Sequence, residues 1–425
     1  MQDYKTSPET GSLKLKTIGI IVTAGATFLT AFSGSATNIA LPAIAEKFDL
    51  NAVSLGWISL AYMISTVILI LPMGRISDIY GRKKVFTTGL ILFTLSALLC
   101  GFSLNFPMMI FFRAVQGIGS AMLFGTSIAI LTDIFPPEKR GAALGINTAS
   151  VYIGLSAGPF LGGLLTHFFG WESIFLISLP IGLPVIFLSA AYLKNSVTVQ
   201  TRGILRNPGI FFSGLFLFKG NKAFTYSNIA ALINYCATFA TSFLMSLFLQ
   251  NIKGLTPEKA GSILLIQPLI QAFFSPITGK LSDTIEPRIL ASTGMGITAA
   301  GLFFFCFLSP GSSIYFVMTA LILLGSGFAL FSSPNTNAVM HSVDKNHSGV
   351  GGATVSTMRV IGQILSIGIT TLIFSIFLGG SKITPENQFQ FISSINISFT
   401  LFTVLCIIGI FFSYNRGEVH KRNFK

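Results

Sequence analysis

Few residues in this sequence can do chemistry, and most of them sit in apolar surroundings. Arg113, Gln116, Gly117 and Ser120 recur at i, i+3, i+4 and i+7, which places them on one face of a helix. A guanidinium inside an apolar run is costly unless it faces a cavity or a partner. Arg113 therefore marks a cavity wall, a relay, or a structural arginine bound to backbone carbonyls. Arg359 poses the same question in a later apolar run. A charged turn, Gly74-Arg75-Ile76-Ser77-Asp78-Ile79-Tyr80-Gly81-Arg82-Lys83-Lys84, joins two apolar runs, and the buried edge of such a turn can hold Asp–Arg pairs. Gly154, Gly158 and Gly162 fall four apart on one face, with Pro159 and Gly163 beside them. Small residues at that spacing let helices approach closely, and a proline there removes a backbone hydrogen bond.

Further polar groups lie within apolar runs: Ser33, Asn38, Tyr62, Asn147, Tyr152, Tyr235, Gln267, Gln271, Asn335, Asn337 and Gln363. Each alone reads as well as a hydrogen bond between helices. The interiors of these runs hold no Asp or Glu, so proton chemistry has few carriers at membrane depth. His167, His341, His347 and His420 all lie near run ends, and neither H-E-x-x-H nor G-x-x-x-x-G-K-[ST] occurs. No enzyme, metal or cofactor site is expected, and direct drive by ATP is not supported.

The elements that must position these groups follow from composition. Of 425 residues, 52% are hydrophobic and 10% charged, against about 25% charged in a soluble domain. A large water-soluble enzyme and a disordered chain are both excluded. Runs long enough to cross a bilayer occupy 18–45, 54–73, 87–104, 106–132, 142–166, 173–192, 226–250, 260–279, 289–308, 314–337, 349–377 and 390–414. Continuous runs of this length exclude the short alternating strands of a barrel, so the fold class is an all-α membrane protein. Residues 1–16 are polar and precede a run long enough to be kept as a span, which does not fit a cleaved signal. Cys100, Cys236, Cys306 and Cys406 lie in separate runs and read as small core residues.

The organisation expected is an N-terminus at 1–17, a six-helix bundle at 18–192, a linker at 193–225, a second bundle at 226–414 and a C-terminus at 415–425. The linker holds one short apolar run, Gly209–Phe218, that suits an interfacial segment. With the N-terminus inside, 21 of the 27 Lys and Arg fall on inner segments, 4 on outer loops and 2 within spans. The positive-inside rule thus absorbs the net charge of +13, puts both termini in the cytoplasm of a cell-membrane protein, and leaves no need for a nucleic-acid partner.

The two halves echo each other. Gly74-Arg75-Ile76-Ser77-Asp78 returns as Gly279-Lys280-Leu281-Ser282-Asp283, and Gly141 and Gly154 return as Gly349 and Gly362. Six-plus-six repeats of this kind belong to transporters whose substrate site lies at the repeat interface. On these residues the sequence resembles the major facilitator superfamily along essentially its whole length. Gly74 to Lys84 is similar to that family's G-x-L-x-D-x-x-G-R-[KR]-[KR] loop, and Arg113 to Gly119 to its R-x-x-Q-G-x-G motif. Gly154 to Gly163 is similar to the G-x-x-x-G-P-x-x-G-G motif of its antiporters. Asn38-Ile39-Ala40-Leu41-Pro42 and Asp133-Ile134-Phe135-Pro136-Pro137 resemble the multidrug efflux branch of EmrB/QacA type.

The resemblance implies twelve helices in two pseudo-symmetric six-helix bundles that alternate access to a central site. It also implies a gating loop in which Arg82 pairs with Asp78 and Asp133, with Lys83 and Asp283 in the same motif. Export of small amphiphilic compounds or drugs in exchange for protons, by a monomer in the lipid bilayer, is what it implies for function. Two departures qualify the match: the branch usually has fourteen spans, and its acidic position in span one is Ser33 here. The loss of that acid leaves open a uniporter or importer of a neutral or anionic metabolite, or a membrane sensor. It also points away from cationic substrates, which ask for a carboxylate counter-charge in a low-dielectric site.

Overall fold

A computed structural model describes residues 8–135, 137–193, 221–282, 284–343 and 348–418. The apolar runs become helices because a backbone in lipid must satisfy its own hydrogen bonds. In the first half these are α1 (Pro8–Phe48), α2 (Ala52–Tyr80), α3 (Arg82–Gly101), α4 (Phe106–Ile134), α5 (Pro137–Phe169) and α6 (Ser173–Tyr192). The second half has α7 (Lys222–Ile252), α8 (Pro257–Leu281), α9 (Pro287–Phe305), α10 (Ile314–His341), α11 (Ser348–Leu378) and α12 (Gln388–Tyr414). Among the described residues, 12 helices are long and apolar enough to cross a membrane. The expected runs match them one for one, while Gly209–Phe218 and Asp283 lie outside the described residues.

Local signals set the helix ends. Asn105 caps α4 by accepting from the Met108 amide at 2.9 Å, and Asn221 caps α7 through Phe224 at 3.1 Å. Gly81 turns the chain from α2 into α3 at φ 99°, a conformation that suits glycine. Prolines 42, 72, 159, 184, 276 and 334 lie inside helices and each withholds one backbone donor.

The repeat seen in sequence is a repeat in packing. A Cβ added to Gly154 of α5 would lie 2.6 Å from Phe28 O, 3.0 Å from Ala31 Cβ and 3.0 Å from Phe32 N of α1. One added to Gly362 of α11 would lie 2.6 Å from Leu232 O, 2.9 Å from Tyr235 Cβ and 3.0 Å from Cys236 N of α7. Gly117 likewise abuts Tyr62 O and Ser65 Cβ, and Gly325 abuts Gln267 O and Ile270 Cβ. In the turns, Ser77 Oγ donates to Gly74 O at 2.5 Å and Ser282 Oγ to Gly279 O at 2.7 Å.

By contacts the chain forms two compact units. The first comprises Met1–Thr37, Ala61–Gly158 and Phe168–Arg202; the second comprises Asn38–Leu60, Pro159–His167 and Gly203–Lys425. The first unit is built on α3 against α4, with Phe86, Phe93 and Leu123 fully enclosed. In the second, α9 packs on α10 and α12, and the Phe305 ring lies tilted against Phe399 with centroids 4.8 Å apart. It also contains the far ends of α1, α2 and α5, here called distal because they lie where α1 passes to α2.

Candidate transport site

In the first unit, the α4 face predicted from spacing forms a compact polar network. Arg113 Nη1 donates to Gln116 Oε1 at 2.6 Å and to Ser33 Oγ at 3.4 Å. Gln116 Nε2 donates to the same Ser33 Oγ at 3.1 Å, closing a triangle. The guanidinium carbon lies 4.5 Å from the Tyr62 ring centroid and 5.8 Å from that of Phe175, within cation–π range. Tyr62 in turn donates to Ser120 Oγ at 2.9 Å and to Thr30 O at 3.2 Å. Arg113 and Gln116 are 0% exposed. The α4 face is thus an enclosed polar network rather than an open wall. Ser33 serves as a neutral acceptor where the resembling branch often carries an acid.

At the α2–α3 turn, the pairing that the family motif implied for Arg82 is present. Arg82 Nη1 reaches Asp133 Oδ1 at 2.6 Å and Ala129 O at 2.9 Å, while Nε and Nη2 reach Asp78 Oδ1 at 3.2 and 3.1 Å. One arginine therefore joins the end of α2 to the end of α4. Gly74 packs 3.5 Å (as a Cβ) from Gly125 O, and Lys83 is half-buried.

The glycine and proline motif of α5 works in two places. Within the first unit, Gly154 and Gly158 let α1 approach, and a Cβ on Gly158 would lie 2.5 Å from Ser35 Cβ. Pro159 deprives Leu155 O of its helical donor, and Ser35 Oγ supplies one at 2.9 Å. Within the second unit, Gly162 is buried and Gly163 abuts the start of α8, 2.5 Å (as a Cβ) from Pro257 O. Gly261 of α8 faces Pro159 O in return. The same distal end holds His167 3.9 Å from Glu258, Asp49 paired with Lys382, and the Ala52 amide on Ser381 O at 3.4 Å.

The remaining sequence candidates fall in separate places. In the first unit, Asn147 accepts from Thr27 Oγ1 at 3.3 Å, and Tyr152 is half-buried. In the second, Asn38 accepts from Ser59 Oγ at 3.3 Å, and Tyr235 packs edge-on to Phe328 at 5.3 Å. Gln267, Gln271 and Arg359 are half-buried. Asn335 donates to Ser227 O at 3.1 Å and accepts from Arg416 Nη1 at 2.7 Å.

Arg416 is a residue that sequence reasoning missed. Counted among the basic residues of the C-terminal tail, it is 1% exposed and buried just past α12. It donates to Ser413 O at 2.8 Å, Ser413 Oγ at 2.9 Å, Ser227 Oγ at 3.1 Å and Pro287 O at 3.3 Å, besides Asn335. Burial pushes its guanidinium down to about 9, with nearby Glu286 acting in the opposite direction, so it stays protonated at neutral pH. Gln250 and Ser246 of α7 were missed too. Both donate to α1 backbone, and a backbone acceptor leaves no mark in a side-chain pattern.

Twelve membrane-length helices among the described residues, in two copies of one six-helix repeat, define a polytopic membrane protein. A model of the Major Facilitator Superfamily matches residues 23–367. The chain belongs to that family. Similar curated proteins include the riboflavin transporter RibZ of Clostridioides difficile (strain 630), 29% identical and covering 94% of this chain and 97% of the relative. The multidrug resistance protein Stp of Mycobacterium tuberculosis is 28% identical, covering 85% of this chain and 76% of the relative. Among solved structures, the D-xylose–proton symporter superposes with a TM-score of 0.75 at 13% identity, covering 95% of this chain and 98% of that one. A bacterial homologue of the human lysosomal transporter Spinster, inward-facing and unoccupied, gives 0.72 at 17% identity, covering 97% of each. At these identities the structural likeness speaks for the fold alone.

Proposed function

We propose that this protein is a secondary active transporter that exports a neutral, zwitterionic or anionic amphiphile by alternating access, in exchange for protons. The observation that carries the reading is the Arg113–Gln116–Ser33 triangle in spans without an interior carboxylate. A fixed positive charge ringed by neutral acceptors repels cationic drugs and favours a ligand rich in carbonyl or anionic oxygen. The relatives named for riboflavin and for multidrug resistance bracket that chemistry. Export rests on the α5 motif, which resembles that of the family's antiporters.

With the basic excess on one side, both termini lie in the cytoplasm and bundles 18–192 and 226–414 flank a linker at 193–225. The Arg82 turn, with Asp78 and Asp133, is then the cytoplasmic gate and carries the protons that no mid-membrane acid can carry. Asn38, Asn147, Tyr152, Tyr235, Gln267, Gln271, Asn335 and Arg359 complete the transport path, in a monomer that needs no cofactor or nucleic acid. Ser33 at the acidic position favours one second reading, a uniporter or importer of a neutral or anionic metabolite.

Proteoliposomes separate the two. Riboflavin or an anionic dye is expected to move faster when a pH gradient is imposed, and ethidium is expected not to move. Flux indifferent to the gradient supports the uniporter; gradient-driven ethidium flux overturns the charge argument.

A further inference from the structure

We propose that Ser246 and Gln250 clasp two α1 carbonyls at Pro42, and that this clasp is a distal gate which parts in every transport cycle. The inference rests on the alternating-access reading above and names the residues that would hold one of its two states. It starts from a deficit. Helix α1 runs through Pro42 without a break. Pro42 has no N–H, so Asn38 O has no donor four residues on, and the ring crowds the turn that also includes Ile39 O. A carbonyl left bare at membrane depth is strongly disfavoured.

The donor that Asn38 O lacks comes from α7, and a second one reaches Ile39 O beside it. Ser246 Oγ donates to Asn38 O at 2.8 Å, and Gln250 Nε2 donates to Ile39 O at 2.9 Å. Gln250 Nε2 also lies 3.0 Å from Ser246 Oγ, so each donor orients the other. Asn38, Ile39 and Ser246 are all buried. Past Ser246 the helix widens into a π turn over Phe248–Ile252, with Lys253 N on Phe248 O at 3.1 Å. Such turns re-aim side chains and recur at functional positions.

A second proline in the same chain serves as a control. Pro159 bares Leu155 O, and Ser35 of α1 supplies the donor at 2.9 Å. There, donor and acceptor belong to the same six-helix repeat. At Pro42 the donors belong to the other repeat, so satisfying the bare carbonyl ties the first repeat to the second at the distal end. The tie is made of hydrogen bonds that water can replace once the end is wet. It therefore holds a dry, closed state without locking it. The neighbouring contacts of Asp49 with Lys382 and of Ala52 N with Ser381 O lie at the same end.

Hydrogen–deuterium exchange on the full-length protein in nanodiscs tests this without substrate or gradient. Joint replacement Ser246→Ala with Gln250→Leu is expected to speed amide exchange about fivefold in peptides covering 43–60 and 251–262. Exchange across 76–92 stays at the wild-type rate and reports an intact fold. Pro42→Ala returns a donor to Asn38 O, so in that background Ser246→Ala is expected to add little. Unchanged exchange in the double variant overturns the clasp, as does a Ser246→Ala effect that persists in full beside Pro42→Ala. Normal flux with unchanged exchange sinks the clasp alone, whereas faster exchange in a protein that carries nothing sinks the transport reading alone.

Discussion

Arg113 and Arg416 are both sealed from solvent, yet they are held in different ways. Arg416 sits just past α12 and donates to the backbone of Ser413 and Pro287 as well as to Ser413, Ser227 and Asn335 side chains. Its partners come from four helices, and two of the acceptors are carbonyls that cannot turn away. Arg113 lies within α4 and bonds the Gln116 and Ser33 side chains, with ring faces of Tyr62 and Phe175 over it. Those side chains have other rotamers, and their oxygens can be exchanged for a ligand's. On the proposed function, one arginine is a rivet and the other a socket.

The contrast can be broken at three points. Arg113→Lys keeps the charge and loses the planar fork. It is expected to cut proteoliposome flux more than about tenfold while moving the melting temperature in detergent little; wild-type flux would remove the socket. Arg416→Leu strands buried acceptors on α7, α9 and α10, at a cost of about 3 kcal/mol. The melting temperature should fall by about 5 °C, with flux lost only in proportion to folded protein. A specific flux defect in correctly folded Arg416→Leu would make it a second socket. Asp78→Asn weakens a half-exposed ion pair worth at most about 1 kcal/mol. Expression and melting should match the wild type and flux should fall several-fold, so undiminished flux in vesicles would show that the Arg82 turn plays no part in gating.

Much of this was legible in the chain. Long apolar runs become helices because lipid permits little else, and repeated glycines mark the crossings because any Cβ there meets backbone. The Asp78–Arg82–Asp133 arrangement was implied by family resemblance and is present in the geometry. Arg113 was found by its isolation in an apolar run, although its enclosure was not visible. Arg416 was hidden because a basic residue after a last span looks like an ordinary topology signal. The α7 donors were hidden for another reason: Pro42 announces a bare carbonyl, but not which helix will supply the hydrogen.

The paired glycine contacts also preserve a history of the chain's length. Phe28 and Leu232, which meet Gly154 and Gly362, are 204 apart; Ser65 and Ile270 are 205 apart; Gly117 and Gly325 are 208 apart. An extra residue inside a helix would swing everything after it by about 100° and misplace the next glycine. The added residues instead fall between helices, where 253–256 replaces 49–51 and 306–313 replaces 102–105, the last gain offset by one residue because α9 ends one residue sooner than α3. If the halves arose by doubling one six-helix ancestor, their growth since then has been confined to the joints, where inserted residues rotate nothing.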